Sequence, residues 1–573
     1  MDSAQAIGRT AADLYLHALK RRGIKYIFAN SGTDFTPIVD GIAHARETGG
    51  DIPEFILVPH ENVAISMANG YYETCGEMAG VMVHVTVGTA NALCGLMNVS
   101  RENIPVFLAA GRSPATETGH PASRNGTVHW GQETFDQGGM VREYVKWDYE
   151  LRAGQPVDAV VGRALDIAMS EPRGPVYLTL PREVLADAAV HEPLLPITRA
   201  LGSPAPAPAE DVVEQVADLV AGAANVLVVA GRPGGTTAGF AALSDLAREH
   251  AIAVAEGFYV NVASSHPMKV GPASKPILEW ADVILVIDSL VPWMPSGVSP
   301  RAGAKIIHIG NDPLYSRIPF RGFHSDLLVA GDSTRAIVLL NEALKHKLKD
   351  KRHIVDKRRA EIGEMRARRE ARQAKQIEDV RGAFPIHPIW MAHCLNEVKD
   401  KNAIVVNELG MPQPFLKYEA PNSSFGNSGA GGLGRGLGGA LGAKLAAPDR
   451  QVIAAVGDGA YMFGCPVAAH FVGRAQKLPT LTIVNNNAEW HAVRSATLRV
   501  NPNGPASRAN VMPLTSLEPS PDFEKAIESC GGIGERVEDP DKLTAALERA
   551  LKHVEGGTQT LLNVKTQGTR DAG

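Results

Sequence analysis

The chain has 573 residues, 45% of them hydrophobic and 21% charged, with a formal net charge of −5 at pH 7. That length predicts several domains, and the composition is that of a globular protein able to bury several cores. Lys and Arg number 57 against 62 Asp and Glu, which excludes the basic face that general nucleic-acid or anionic-membrane binding requires. Cys75, Cys94, Cys394, Cys465 and Cys530 are scattered, with no C-x-x-C pair. Their spacing offers neither a disulfide framework nor a closed zinc site and predicts a reducing, cytoplasmic setting.

The first 23 residues read as an amphipathic helix, without the apolar core and cleavage site of a signal peptide. No apolar run approaches the roughly 18 residues of a membrane span. Short apolar runs then alternate with helical patterns. KYIFAN (25–30), EFILVP (54–59), VMVHVTV (81–87), VFLAAG (106–111) and VYLTLP (176–181) read as buried parallel strands, with helices such as 61–76 and 156–170 between them. They predict a first α/β domain over 1–190, followed by a linker over 191–209 that includes the Pro/Ala run LGSPAPAPAE (201–210). A central α/β domain over 210–345 carries VLVVAG (226–231), AIAVAEG (251–257), VILVID (283–288) and KIIHIG (305–310). Residues 345–381 are densely charged; acidic residues interrupt them throughout, so a solvated helix within a linker over 346–385 is the better reading than a basic patch. A third domain over 386–566 carries AIVVNE (403–408), QVIAAVGD (451–458), TLTIVNN (480–486) and TLLNVK (560–565). The fold class is α/β: three consecutive parallel-sheet domains.

The 57 glycines cluster. The segment from Gly429 to Gly442 contains a formal G-x-G-x-x-G at Gly434, Gly436 and Gly439, but a polar loop precedes it and no acidic residue closes a strand about twenty positions later, so it is not a dinucleotide fingerprint. The glycines serve helix packing or a different cofactor. Strand QVIAAV runs straight into Gly457-Asp458-Gly459, and TLTIV ends in Asn485-Asn486-Asn487. Both loops follow the carboxyl ends of parallel strands, where open α/β sheets bind ligands. A carboxylate and an amide oxygen are hard ligands of the kind Mg2+ shares with phosphate, and the glycines let phosphate approach backbone N–H groups.

GDGAYMFGCPVAAHFVGRAQKLPTLTIVNNN (457–487) resembles the diphosphate-binding signature of the thiamine-diphosphate-dependent enzymes. Within that family the chain is most similar to benzoylformate decarboxylase and the acetolactate synthase large subunit, over about residues 5 to 565. The resemblance implies the three-domain fold of such decarboxylases, thiamine diphosphate and Mg2+. It makes Asp458, Asn487 and the carbonyl of Glu489 the metal ligands, with Asn486 an alternative to Asn487. On the same resemblance, Gly457, Gly459 and Ala460 would line the diphosphate. The resemblance places Leu433, with Gly432 beside it, where the family has a bulky residue beneath the bent cofactor; a plain core leucine is the alternative.

The other half of the site lies upstream. Glu61, after strand EFILVP, matches the family's proton-relay glutamate, although a helix macrodipole also favours an acid there. His84 matches a proton-transferring histidine of the decarboxylase, against the alternative of a hydrogen-bonded core residue. Thr33 falls at a substrate-binding hydroxyl, a position that a helix N-cap explains equally well. Gln132, followed by Glu133, keeps a pattern seen near acetolactate-synthase sites, while His129 and Trp130 are additions. Two departures leave the substrate open: Asn407-Glu408-Leu409-Gly410-Met411 lacks the hydroxyls that contact diphosphate in the decarboxylase, and Ser289–Trp293 has no histidine where the decarboxylase places its second one. The implied activity is a 2-oxo acid decarboxylase or carboligase working through the thiamine C2 ylid and an enamine. The alternatives are a FAD-containing acetolactate synthase, its flavin near VLVVAGRPGGTTAG (226–239), or a 2-hydroxyacyl-CoA lyase. In the family the two halves meet across a subunit interface, which predicts a homodimer or homotetramer.

Overall fold

The computed structural model describes residues 9–190, 196–426 and 429–568. Part of the expected N-terminal helix and residues 191–195 of the expected linker lie outside them. The helix that is described runs Ala11–Lys20, capped by a reciprocal box between Thr10 and Asp13. The described residues gather into two compact units. One holds the residues up to Pro204 together with Gly426–Arg536 and Ala550–Asn563; the other holds Ala205–Phe425, Val537–Arg549 and the residues from Val564.

Among the described residues, eighteen strands form three six-stranded sheets. The first contains β1 (Tyr26–Ala29), β2 (Glu54–Leu57), β3 (Gly80–Val83), β4 (Phe107–Arg112), β5 (Asp148–Glu150) and β6 (Val176–Pro181), in the order β2-β1-β3-β4-β6-β5. Strands β3, β4 and β6 are buried nearly throughout, as the unbroken apolar runs require of a sheet covered on both faces. The order reverses between β1 and β3: β2 lies on one side of β1 and β3 on the other, with Ala29 opposite both Leu57 and Met82. Such a switch opens a crevice beyond the strands' carboxyl ends.

One expected strand is shorter in the structure. VMVHVTV stops at Val83, and Val85 begins a helix that runs to Arg101. The buried Asp34 carboxylate accepts the Val85 N–H at 3.3 Å, satisfying one of the donors that a helix start leaves free. His84 therefore stands on the junction, beside the switch point.

The second sheet contains β7 (Val226–Ala230), β8 (Ala253–Glu256), β9 (Lys269–Gly271), β10 (Val283–Ile287), β11 (Lys305–Gly310) and β12 (Leu327–Ala330), ordered β12-β11-β10-β7-β8-β9. The charged stretch divides between two helices, Ser333–Lys347 and Arg352–Asp379. The second is not merely solvated. Arg358 is fully buried (0% exposed) and donates to the carbonyls of Val220, Ala223 and Ala224, at the end of helix Glu210–Gly222. Burial pushes its pKa down to about 10, and the carbonyl end of the helix dipole favours the cation.

The third sheet contains β13 (Ile404–Glu408), β14 (Ser424–Phe425), β15 (Val452–Gly457), β16 (Leu481–Asn486), β17 (Ile533–Val537) and β18 (Thr560–Lys565). Strands β15 and β16 pair in parallel with Gly457 opposite Asn485, so Asp458 and Asn487 leave the sheet at one end.

Within the first unit, helix Glu61–Cys75 crosses helix Arg435–Ala446 almost backbone to backbone. A Cβ on Gly70 would stand 2.0 Å from the carbonyl oxygen of Gly439, and one on Gly442 would stand 2.0 Å from that of Met67. The glycine-rich segment is thus a packing surface. In Gly70→Ala, the roughly 1 kcal/mol gained in helix propensity should be outweighed by overpacking of about 3 kcal/mol, a net loss on urea unfolding. Gly363→Ala is the control: that helical glycine is exposed with open space beside it, and the same substitution should stabilise by up to about 1 kcal/mol.

Candidate active site

The carboxyl end of the first sheet collects the upstream candidates. Glu61 is the first residue of helix Glu61–Cys75, 7% exposed, with the imidazole of His60 capping the helix through the Asn62 N–H. The Glu61 carboxylate does not serve the helix end. Its Oε1 accepts from the Asn30 amide at 2.9 Å and its Oε2 from the Asn91 amide at 2.5 Å. Both amides come from residues flanking the switch point, so the carboxylate is held by two side chains aimed at it.

His84 is pinned from both sides. Its Nδ1 lies 2.5 Å from Asp34 Oδ1, and its Nε2 is 2.9 Å from the Gln132 amide nitrogen. The bond to Asp34 raises the imidazole pKa; burial opposes this, and the charges of Asp34 and Glu61 add to the rise. Gln132 keeps its own Oε1 buried without a hydrogen-bond partner. Its backbone carbonyl is held by the Thr86 hydroxyl at 2.8 Å.

Thr33 begins a short 3-10 turn, but its hydroxyl caps nothing; Gly32 is the capping residue. The N-cap reading therefore falls. Instead, Thr33 Oγ1 lies 3.3 Å from Nε2 of His129, which is 3% exposed. His129 comes from a single helical turn, Val128–Gly131, in the loop after β4. Trp130, by contrast, points outward and bonds Glu117. Sequence reasoning missed two members of this cluster, Asp34 and Asn30, although both lie in the turn that directed attention to Thr33. It also missed Arg182, buried below, which donates to the carbonyls of Ala122, Ser123 and Thr33.

The turn before helix Arg435–Ala446 meets this region within the same chain. Asn62 donates to the Leu433 carbonyl at 3.2 Å, and Asn98 clasps Gly432, its amide nitrogen donating to the Gly432 carbonyl and its amide oxygen accepting the Gly432 N–H. Gly434 adopts a left-handed φ of 86° and starts the helix, a conformation that glycine takes without strain. Asn62, next to Glu61, thus meets Leu433 within one chain.

At the end of β15 the Asp458 carboxylate, 4% exposed, joins the two expected ligand loops: Oδ1 accepts the Gly459 N–H at 2.7 Å and Oδ2 the Ala488 N–H at 2.6 Å. Asn487 Oδ1 accepts the Glu489 N–H at 3.0 Å. Asn486 points elsewhere, into a buried network with Ser520 and Asn563. A carboxylate, an amide oxygen and a nearby carbonyl are oxygen donors that fit Mg2+, which completes its octahedron with phosphate and water. Against Gly459 lies the Trp490 ring, 2.3 Å from where a Cβ would stand, so only glycine fits.

The turn after β7 is differently occupied. Gly234 donates its N–H to Asn261 Oδ1 at 2.9 Å, and a Cβ on Gly231 would stand 1.9 Å from the Asp288 carbonyl oxygen. These glycines serve packing within the domain, and one N–H that a nucleotide phosphate would seek is already taken.

Comparison with known proteins agrees with this geometry. Residues 9–140 match the family profile described as thiamine pyrophosphate enzyme, N-terminal TPP binding domain, and residues 408–564 match the C-terminal TPP binding domain. Together they cover just over half of the chain. A benzoylformate decarboxylase of Pseudomonas aeruginosa is 27% identical over 83% of this chain and 85% of its own length. An acetolactate synthase large subunit of Buchnera aphidicola is 23% identical over 97% of this chain and 94% of its own. Among solved structures, a thiamine diphosphate-dependent 4-hydroxybenzoylformate decarboxylase of Rhodococcus jostii shares the fold, with a TM-score of 0.77 and 23% identity over 98% of this chain and all of that one. No helix among the described residues is long and apolar enough to cross a membrane. The chain is an enzyme of the thiamine pyrophosphate family.

Proposed function

We propose that the protein is a thiamine-diphosphate- and Mg2+-dependent decarboxylase of 2-oxo acids, able to pass the product carbon to a second carbonyl. The observation that supports this most is the buried Glu61 carboxylate, its two oxygens held by Asn30 and Asn91, with Asn62 on the Leu433 turn. Thiamine diphosphate, when bound, supplies a nucleophilic ring carbon that adds to the substrate carbonyl and accepts the electron pair left by departing carbon dioxide. Glu61 would hold its aminopyrimidine and share a proton with it. Leu433 and Gly432 would support the bend, and Gly457, Gly459 and Ala460 would admit the diphosphate to the backbone. Asp458, Asn487 and the Glu489 carbonyl would hold Mg2+; the Asn486 amide is already satisfied in its own network, which favours Asn487.

His84 moves protons at Nε2, because Nδ1 is tied to Asp34. Gln132, whose amide lies on that nitrogen, and Thr33 orient the substrate. A FAD-containing acetolactate synthase is the second reading, favoured by the near-complete span shared with an acetolactate synthase large subunit. The occupied turn after β7 speaks for the flavin-free one. A yellow purified protein with a flavin spectrum would reverse that preference. We also propose a cytoplasmic homodimer or homotetramer, on the family resemblance alone; light scattering showing a fully active monomer would refute it.

Carbon dioxide release from pyruvate and from benzoylformate, with thiamine diphosphate and Mg2+ added and products identified, tests the main reading. Benzaldehyde from benzoylformate supports it; acetolactate from pyruvate moves it to the synthase; silence on both points to a hydroxyacyl thioester. Glu61→Gln should lower turnover at least a hundredfold while cofactor stays bound, and full activity in that variant would remove Glu61 from the chemistry. Asp458→Ala should instead weaken Mg2+ and cofactor binding, read by the concentrations needed for half-maximal activity.

The Asp34–His84 pair carries a pH signature. Because the His84 pKa is raised in the fold, the pair stabilises fully below the unfolded histidine's value and loses this as pH rises through the folded value. Asp34→Asn should drop the His84 pKa below its ordinary value, since burial then outweighs the remaining pull of Glu61. Histidine NMR titration reads this directly, and an unmoved pKa would dissolve the pairing.

A further inference from the structure

We infer that Gln132 is a positioning residue whose side-chain amide turns over with the proton on His84, donating an N–H to Nε2 of the neutral ring and accepting the Nε2 proton of the charged ring through Oε1. The inference deepens the decarboxylase reading, in which His84 moves protons at Nε2.

Only one atom of the ring is free to change. Asp34, 3% exposed, brings Oδ1 to 2.5 Å from His84 Nδ1, and its Oδ2 accepts the Val85 N–H at 3.3 Å. A carboxylate only accepts, so Nδ1 keeps its proton in both states and Nε2 alone gains or loses one. The ring itself has no room to turn. A Cβ on Gly32 would stand 2.0 Å from Nδ1, so the backbone of that turn lies against the imidazole. Beyond the ring, Val85 is held at a φ of 27°, a conformation that a β-branched residue takes only when its surroundings impose it. The partner at Nε2 must therefore adapt.

Gln132 is built to do so, because its backbone is fixed and its amide is not. Its N–H donates to the Val128 carbonyl at 2.9 Å, and its own carbonyl accepts the Thr86 hydroxyl at 2.8 Å. The neighbouring Glu133 is held by Arg112 and Arg124 at 2.9 and 2.8 Å. At the tip, the amide nitrogen lies 2.9 Å from His84 Nε2, while Oε1 is buried without a hydrogen-bond partner. Amide nitrogen and oxygen are alike in size, and a half-turn about the last side-chain bond exchanges them. With the far end unpaired, that half-turn breaks only the bond to Nε2 and leaves one unpaired end in either orientation. The titratable groups around the ring are Asp34, Glu61 and His129. The first two favour the charged imidazole, which burial opposes, and the charge on His84 helps lower the pKa of His129.

Proton delivery then costs His84 no contact. When the charged ring gives its proton to the carbon that carbon dioxide has left, a C–H bond forms and the electron pair of the broken N–H bond stays on Nε2. The amide turns to donate to that lone pair. A proton from water recharges the ring, and the amide turns back.

Neutron diffraction from deuterated crystals of the cofactor-loaded protein reads the amide directly, at pH values above and below the His84 pKa found by histidine NMR titration. The amide nitrogen should face Nε2 above that pKa and the oxygen below it; one orientation at both pH values would overturn the inference. This arm needs no substrate, so it still decides the question if neither pyruvate nor benzoylformate releases carbon dioxide and the decarboxylase reading falls. Where carbon dioxide is released, Gln132→Glu, an acceptor of the same shape that has no proton for the neutral ring, should move the alkaline limb of kcat upward by about one pH unit. Gln132→Met, which offers neither group, should lower kcat about tenfold with cofactor affinity unchanged. An unmoved alkaline limb in the first variant, or wild-type kcat at every pH in the second, would refute the coupling.

Discussion

The candidate site depends on how closely two helices cross. Helix Glu61–Cys75 brings the relay glutamate, and helix Arg435–Ala446 begins where the Leu433 turn ends. Between them stand positions where a single added carbon would meet a backbone carbonyl at 2.0 Å. Interiors packed like molecular crystals transmit such an intrusion rather than absorbing it. Every contact joining the two halves, from Asn62 to the Leu433 carbonyl to the clasp of Asn98 on Gly432, presupposes that separation. The buried Arg435, bonded to Asn69 and paired with Glu102, fixes the helices in register once they have approached.

On that frame the polar groups are ordered by direction more than by charge. Asp34 takes one nitrogen of His84 and Gln132 meets the other; Asn30 and Asn91 face the two oxygens of Glu61. Each of these groups is thus held at both of its polar atoms by a neighbour. Pre-set dipoles of this kind need no reorganisation when charge develops, which is where catalytic sites gain most.

Much of this was legible in the sequence, and the reasons differ by residue. Strands β3, β4 and β6 were visible because a doubly covered parallel strand must be apolar throughout, and Asp458 was visible because a carboxylate between two glycines at a strand end has few structural uses. The failure at 81–87 is instructive. Val85 has the composition of a strand residue, but its N–H is captured by Asp34, fifty residues upstream, and local propensity yields to that tertiary bond. Asn30 and Asp34 escaped notice for the same reason: a polar turn after a strand looks alike whether its side chains face water or a buried glutamate. Asn486 and Asn487 are indistinguishable as letters; only the network of Ser520 and Asn563 separates them.

Two buried arginines show what no motif could convey. Arg182 and Arg358 sit in the interior, and the hydrogen bonds they make are to backbone carbonyls. Removing a guanidinium from water costs several kcal/mol, but each bond from a charged donor returns about 1.5–3 kcal/mol, so three or more well-placed carbonyls offset the penalty. The carbonyls must then be held together, and this makes each arginine a clamp on chain segments distant in sequence. Arg358 secures a helix end in the second unit. Arg182 secures the loop that delivers His129 and Gln132 and ties it to the backbone of the Thr33 turn.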